Sequence, residues 1–335
     1  MEYVRYINET LQPKVDSDLN IKVLDLFAGC GGLSLGFEAA GFQTYGYEMD
    51  ETAATTYNNN LIGHCEHTTL SIDIEYPEAD IVIGGPPCQP FSVRGKQSGL
   101  SDSRDGFPIF VDAVAKVDPE IWLFENVRGM LYKNKEYLNE IVSSLSELGY
   151  NIYYKLLNAK SYGVPQNRER VIVIGSKKTF SFPKESGNYI TVNEAIEDLA
   201  TQDYPESKVL TPNMDKYIKK YEIASKCVNP RDLWFDRPAR TLTCRNLAGQ
   251  TSDMQRIRLK NGKRRMLLTN EAARLQSFPD WFKFSGSETE VFNQIGNSVA
   301  PLFSYHLASR MKEYILQNGL SEKDNQYAMQ MVMFE

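Results

Sequence analysis

Short apolar runs separated by turns and amphipathic stretches dominate the first half of the chain. Residues 21–27, 42–48, 79–83, 121–124, 150–157 and 171–175 each read as a strand, several of them continuous in Val, Ile, Leu and Phe. Continuous runs suit strands covered on both faces. Between them, residues 33–40, 51–60, 107–117 and 137–148 carry helical patterns, the first and last followed by Gly41 and Gly149. Glycine there supplies the left-handed residue that ends helices. The alternation predicts a doubly wound parallel α/β sheet. It lapses near residue 176, and residues 177–284 read as a smaller, irregular domain rich in prolines, aromatics and polar loops. Within it, residues 267–277 are helical, and a further helix runs to about residue 315. Residues 1–20 are polar and unpatterned, an expected surface extension, and residues 319–335 form a polar tail.

The places where strands end carry the chemistry. The first strand runs into Ala28-Gly29-Cys30-Gly31-Gly32, then a helix, then a strand ending in Glu48. This is the order of a nucleotide-binding βαβ unit. Ser34 stands where the dinucleotide fingerprint needs its third glycine, so the turn points to an adenosine ligand and leaves its kind open. The run 79–83 leads through Gly84-Gly85-Pro86-Pro87 to Cys88, and the run 121–124 leads to Glu125 and Asn126. A lone cysteine is more often a small buried thiol than a nucleophile, and an acid after a strand can equally be a helix cap. Asp73 closes another expected strand, and Arg168 and Arg170 alternate at period two so that both project from one side of a strand.

Charge changes the picture for the second half. The net charge is −6, yet residues 231–265 hold ten basic side chains, most of them arginine, against three acids. A basic segment on an acidic body is the footprint of a localised polyanion contact. The five cysteines are irregularly spaced, as in reduced cytoplasmic proteins. No apolar run reaches membrane-spanning length and no secretory signal is visible. His64-Cys65-Glu66-His67 lacks a second ligand cluster at zinc spacing, so a solvated loop is expected and no metal.

Six stretches, in order, resemble the DNA (cytosine-5)-methyltransferases, especially the single-chain bacterial enzymes of restriction–modification systems. They begin with Asp25-Leu26-Phe27-Ala28-Gly29-Cys30-Gly31-Gly32, Gly85-Pro86-Pro87-Cys88-Gln89-Pro90-Phe91-Ser92 and Glu125-Asn126-Val127. Gln166-Asn167-Arg168-Glu169-Arg170, Arg274-Leu275-Gln276-Ser277-Phe278-Pro279 and Gly296-Asn297-Ser298-Val299 complete the set. The resemblance implies a Rossmann-like, S-adenosylmethionine-dependent sheet over residues 21–176 and a target-recognition domain over 177–284. A C-terminal helical segment, 285–318, returns to the catalytic domain.

It also implies roles. Cys88 would add to C6 of a flipped-out cytosine, Glu125 would share a proton with N3, and Asn126 would help read the exocyclic amino edge. Arg168 and Arg170 would face the pyrimidine O2 and the phosphate network. Phe27, Ala28, Gly29, Gly31, Gly32, Leu33, Glu48, Met49, Asp73, Ile74, Pro87, Asn297, Ser298 and Val299 would hold S-adenosylmethionine. Gln89, Ser92, Arg94 and Arg104, on the segment after the nucleophile, and Arg240, Thr241, Leu242, Arg245, Arg256 and Arg258, in the recognition domain, would meet double-stranded DNA. A monomeric cytoplasmic enzyme protecting host DNA from a cognate endonuclease is the implied setting. A tRNA methyltransferase and an inactive DNA-binding protein of the same fold are the rival readings. Cys88-Gln89-Pro90, where the RNA-acting branch has Cys-Phe-Thr, opposes the first, and the intact Cys88, Glu125, Arg168 and Arg170 oppose the second.

Overall fold

Strands that are apolar on both faces need two layers of cover, and the chain builds both from its own helices. The computed structural model describes residues 2–72, 74–87, 105–187, 189–224, 226, 231–249 and 253–321. The first half runs α1 (Glu2–Thr10), β1 (Lys22–Leu26), α2 (Gly32–Ala39), β2 (Gln43–Glu48), α3 (Glu51–Asn60), β3 (His64–His67), β4 (Ile81–Gly84) and α4 (Phe107–Val117). It continues with β5 (Ile121–Val127), α5 (Lys135–Glu147), β6 (Asn151–Asn158), the two-residue β7 (Gln166–Asn167) and β8 (Glu169–Ser176). The second half holds α6 (Val192–Ala200), α7 (Pro212–Ala224), β9 (Ala239–Arg240), α8 (Cys244–Ala248), β10 (Arg256–Arg258) and β11 (Arg264–Met266). It closes with α9 (Thr269–Leu275), α10 (Glu288–Asn297) and α11 (Pro301–Asn318).

Seven strands form the central sheet in the order β3-β2-β1-β4-β5-β8-β6. β1 through β5 pair in parallel, and β8 runs antiparallel to both β5 and β6. Successive side chains divide between the two faces. Leu24, Val82, Trp122 and Val173 join a core with Phe110 of α4 and Ile141 of α5. Val23, Ile83, Leu123 and Ile174 join the opposite core with Phe37 of α2 and Met311 of α11. The order reverses between β1 and β4, and the crevice at the carboxyl ends of those strands is where open α/β sheets take ligands.

Local chemistry sets the helix ends. The Asp50 side chain accepts from Ala53 N to start α3. Thr191 with Glu194, and Ser287 with Glu290, form capping boxes on α6 and α10. Each satisfies amide donors that the first helical turn leaves open. The last helix packs on the first helix of the sheet. A Cβ on Gly36 would lie 2.4 Å from Ser304 Cβ, and Ser304 Oγ donates to Leu33 O at 2.5 Å. Only glycine lets the two backbones come this close.

Three expectations are corrected. Residues 1–20 are not a plain extension: Tyr3, Ile7 and Leu11 are buried, and Tyr3 Oη donates to the carbonyl of Arg274. Their i, i+4, i+8 spacing makes one helical face, concealed in the sequence by charged neighbours. The segment 64–67 is the edge strand β3, its Cys65 buried, rather than a loop. Residues 71, 72 and 74 lie outside any strand, and Asp73 lies outside the described residues. Among the described residues, no helix is long and apolar enough to cross a membrane. Replacing Gly36 with Val should force α2 and α11 apart and cost about 1–3 kcal/mol, the usual penalty of overpacking. A lowered urea midpoint with unchanged slope would report it.

Candidate active site

The glycine turn after β1 is unusually bent. Phe27 has φ +60°, followed by Gly29 at +56° and Gly31 at +87°. A non-glycine residue in the left-handed region stores local strain, and such residues cluster at ligand sites. Glu48, at the end of β2, holds the turn: its two carboxylate oxygens accept from Gly29 N at 2.8 Å and Asp50 N at 2.9 Å. Each oxygen keeps a further lone pair for a hydroxyl. Ala28 and Leu33 are buried beside the turn, and Gly32 opens α2 against Ser298, with no room for a Cβ. Val299 is buried and Asn297 exposed in the link from α10 to α11.

Opposite Phe27 lies Pro87, at the end of β4's exit, and Gly106 touches both. Cβ atoms built on Gly29 and Gly85 would meet nothing within 4 Å, so open space adjoins both strand ends. An aromatic wall, a strand-end carboxylate and this space fit the adenosine and methionine parts of the implied cofactor. Met49 is exposed and Ile74 half-buried on the β2 side of the crevice.

Asp25, on β1 beneath the turn, is fully buried. Ser34 Oγ donates to it at 2.7 Å, while its other oxygen has no partner among the described residues. Burial pushes this carboxyl up to about 7, against the hydrogen bond from Ser34, with Glu48 adding a smaller upward push. The residue standing in place of the fingerprint's third glycine thus serves the acid below it.

Beyond β4 in the sheet, β5 carries Glu125 and Asn126 within its own span rather than after it. Arg170 Nε lies 2.6 Å from Glu125 Oε1, both side chains 11% exposed. Asn126 Nδ2 donates to Pro86 O at 2.9 Å and Asn126 Oδ1 accepts from Val127 N. Its side chain is therefore committed to holding the chain that precedes Cys88, which, of side chain and backbone, leaves the backbone for the expected reading of a base. Cys88, Gln89, Ser92, Arg94 and Arg104 lie outside the described residues.

Arg168 departs from its partner arginine. It is 2% exposed and donates to the carbonyls of Leu242 and Ser298, each at 2.8 Å, and of Gly296 at 3.4 Å. Burial, and then the nearby Arg170 guanidinium, pull it down to about 9, so it stays charged at neutral pH. Gln166 and Gln276 complete this junction. Gln166 Nε2 donates to Leu275 O at 3.2 Å, its Oε1 accepts from Leu242 N at 2.8 Å, and Gln276 Nε2 donates to Ser298 O at 2.6 Å. The expectation that both arginines face the substrate is corrected: Arg170 meets Glu125, and Arg168 joins segments. Gln166 and Gln276 stood in the quoted motifs with no role, because nothing in a sequence shows that two distant amides meet.

The basic segment is largely spent inside the protein. Asp232 receives Arg256 Nε at 2.9 Å, Arg258 at 2.7 Å and Arg264 Nε at 3.2 Å. Glu222 of α7 receives Arg256, Asp215 of α7 receives Arg264, and the buried Arg265 pairs with the buried Glu271. Arg256 has no exposed side-chain surface, so it is corrected from a DNA contact to an internal ion-pair residue. The Leu242 side chain is also buried. Thr241 Oγ1 donates to Asn167 O, and Arg240 lies 3.7 Å from Asp253. Arg245 is exposed, and Arg258 remains 58% exposed on its one carboxylate.

The strand order, a strained turn braced by a strand-end acid, and a carboxylate–arginine pair joining β5 to β8 define a doubly wound α/β protein with a nucleotide-type crevice. Comparison with known proteins narrows the class. The model of the C-5 cytosine-specific DNA methylase family matches residues 21–313. A type II methyltransferase of Arthrospira platensis, M.AplI, is 53% identical over 93% of this chain and 91% of its own. M.FnuDI of Fusobacterium nucleatum is 32% identical over 91% of this chain and 98% of its own. The chain belongs to the C-5 cytosine-specific DNA methylase family and is a DNA cytosine-5 methyltransferase of the type II kind. The fold is shared with the crystal structure of S. pombe Dnmt2 methyltransferase, with a TM-score of 0.71 at 18% identity over 88% of this chain and 99% of that one.

Two outcomes follow from this geometry. Asp25 has a raised folded pKa, so its contribution to stability is full below about pH 4 and is lost as the pH rises through about 7. Asp25→Asn should therefore be more stable than the parent at pH 8, on the order of a few kcal/mol, with the advantage fading toward pH 5 in urea titrations. Arg256→Ala should cost about 1.5–3 kcal/mol by removing a buried side chain and its charged hydrogen bonds to Asp232 and Glu222, with Asp232 keeping Arg258 and Arg264. Arg245→Ala should stay within about 0.5 kcal/mol; thermal melts compare the two.

Proposed function

We propose that this enzyme methylates C5 of a cytosine flipped out of double-stranded DNA through a covalent Cys88–C6 adduct, with S-adenosylmethionine as methyl donor. The observation that carries the reading is the Glu125–Arg170 pair at 2.6 Å between β5 and β8, with β5 one strand from β4. Asn126 ties that strand to Pro86, two residues before Cys88. In this reading the Cys88 thiol attacks the ring carbon while the Glu125 carboxyl group meets N3. Burial raises Cys30 to about 12 and also pushes up Cys65 and Cys244. These three are poor thiolate sources at neutral pH, which leaves Cys88 and Cys227, and Cys88 is the one that follows the Gly85-Pro86-Pro87 stretch of the family resemblance.

Attack of the Cys88 thiolate on C6 moves electron density to C5 and N3. Glu125 shares its proton with N3, and Arg170 holds Glu125 in place. S-adenosylmethionine supplies the activated methyl group, with Phe27, Gly29, Leu33, Glu48, Pro87 and Val299 as its holders. Water takes the C5 proton, the C6–sulfur bond breaks, and the thiolate returns. The target base must leave the helix, since C5 and C6 are stacked within it.

Residues 177–284 serve as the recognition unit, with Arg240, Thr241, Arg245 and Arg258 toward DNA alongside Gln89, Ser92, Arg94 and Arg104. A monomer in the cytoplasm, protecting host DNA against an endonuclease of the same specificity, fits the likeness to type II methyltransferases. Nucleoside mass spectrometry of unmethylated plasmid DNA incubated with S-adenosylmethionine tests the reading. 5-Methylcytosine should form with the parent, vanish with Cys88→Ser, and fall about 10²–10⁴-fold in rate with Glu125→Gln. Undiminished product from Cys88→Ser would falsify the adduct, and product confined to tRNA would replace the substrate.

A further inference from the structure

The chain leaves β4 at Gly84, passes Pro87 and is described again from Asp105. The two ends of that excursion are fastened to each other. Gly106 N donates to Pro87 O at 3.1 Å. A Cβ on Gly106 would lie 2.5 Å from Pro87 Cδ and 2.8 Å from Phe27 Cζ. The backbone at residue 106 therefore lies flush against the residue before Cys88 and against the aromatic wall of the cofactor crevice.

Beneath this clasp sits a buried polar pair with no part in the chemistry above. Asp105 is 6% exposed; one oxygen accepts from Phe107 N at 3.1 Å and the other from Tyr137 Oη. Tyr137, 5% exposed on α5, also meets the Phe107 ring edge-on, with centroids 5.8 Å apart. Burying a carboxylate and a phenol costs desolvation that an apolar pair would avoid. What the pair adds is direction: two hydrogen bonds fix the start of α4, and with it Gly106.

We infer that Asp105 and Tyr137 are positioning residues for methyl transfer, acting through the Gly106–Pro87 clasp to hold Pro87, the residue before Cys88 in the chain, against the Phe27 wall. This rests on the assignment of Cys88 as nucleophile. Small misplacements of reacting groups can cost about 10²-fold in rate, so the clasp is a place where one hydrogen bond can matter. A helix-capping signal was legible in an acid two residues before a helix bearing Pro108. Tyr137 carried no signal, being one apolar position on an amphipathic helix.

The test uses the full chain with Tyr137→Phe, Asp105→Ala, Asp105→Asn and the Tyr137→Phe/Asp105→Ala pair. Single-turnover methylation is measured at saturating DNA and S-adenosylmethionine, beside thermal melts and S-adenosylmethionine affinity. Tyr137→Phe should remain folded at assay temperature, lose about tenfold in single-turnover rate and bind the cofactor more weakly. Asp105→Asn, which keeps one acceptor, should fall between Asp105→Ala and the parent. The double variant should be no slower than Asp105→Ala, because the two groups act as one unit. A parental rate for Tyr137→Phe, additive losses in the pair, or losses that track only the unfolded fraction overturn the inference. Cys88→Ser runs in parallel: an active Cys88→Ser overturns the nucleophile and this inference together, whereas an inactive one with a parental Tyr137→Phe removes the clasp alone.

Discussion

A guanidinium placed in the interior needs partners for its donors, and the two terminal nitrogens of Arg168 find them in three separate segments. Its carbonyl partners come from the lead-in to α8, the end of α10 and the link to α11. Gln166 and Gln276 add the turn before β8 and the end of α9 to the same knot. Orphaned buried donors are expensive, so these segments come together as a set or not at all. Through the knot, the strand bearing Arg170, the Ser298 side of the cofactor crevice and the lead-in to α8 share one rigid reference point.

Charge is handled in the same inward-looking way in the second half. The arginines of β10 and β11 answer to Asp215 and Glu222 on α7 and to Asp232. Ile196, Leu233, Ile257, Leu267 and Leu275 join this region to the main core, while Leu210, Ile218 and Met254 form a small separate cluster, and the ion pairs add to the hold on the hairpin. Fewer of these basic side chains reach solvent than the charge count suggests, Arg245 and Arg258 being among those that do.

Much of the sheet was legible because continuous apolar runs and terminal glycines act locally. The strand ends bearing Glu48 and Glu125 were legible for the same reason. The α1 helix escaped because its three buried positions are spread over nine residues among charges. The edge strand β3 escaped because only Cys65 of its four residues is buried, which leaves no apolar run to read. Arg256 and Arg168 were misjudged from one cause. A sequence displays a positive charge but not the carboxylates and carbonyls that fold against it. The exchange of roles between Ser34 and a glycine is legible only once Asp25 is seen beneath it.

The contact of α2 with α11 joins the chain's earliest sheet helix to its last described one. On the ribosome, the glycine turn and its helix emerge first, and their covering partner emerges some 270 residues later. Until then one side of α2 stays bare and Ser298 is missing from the crevice. The crevice is therefore walled on this side only after the last part of the fold has been made, and a chain truncated before α11 is left with an uncovered flank on α2.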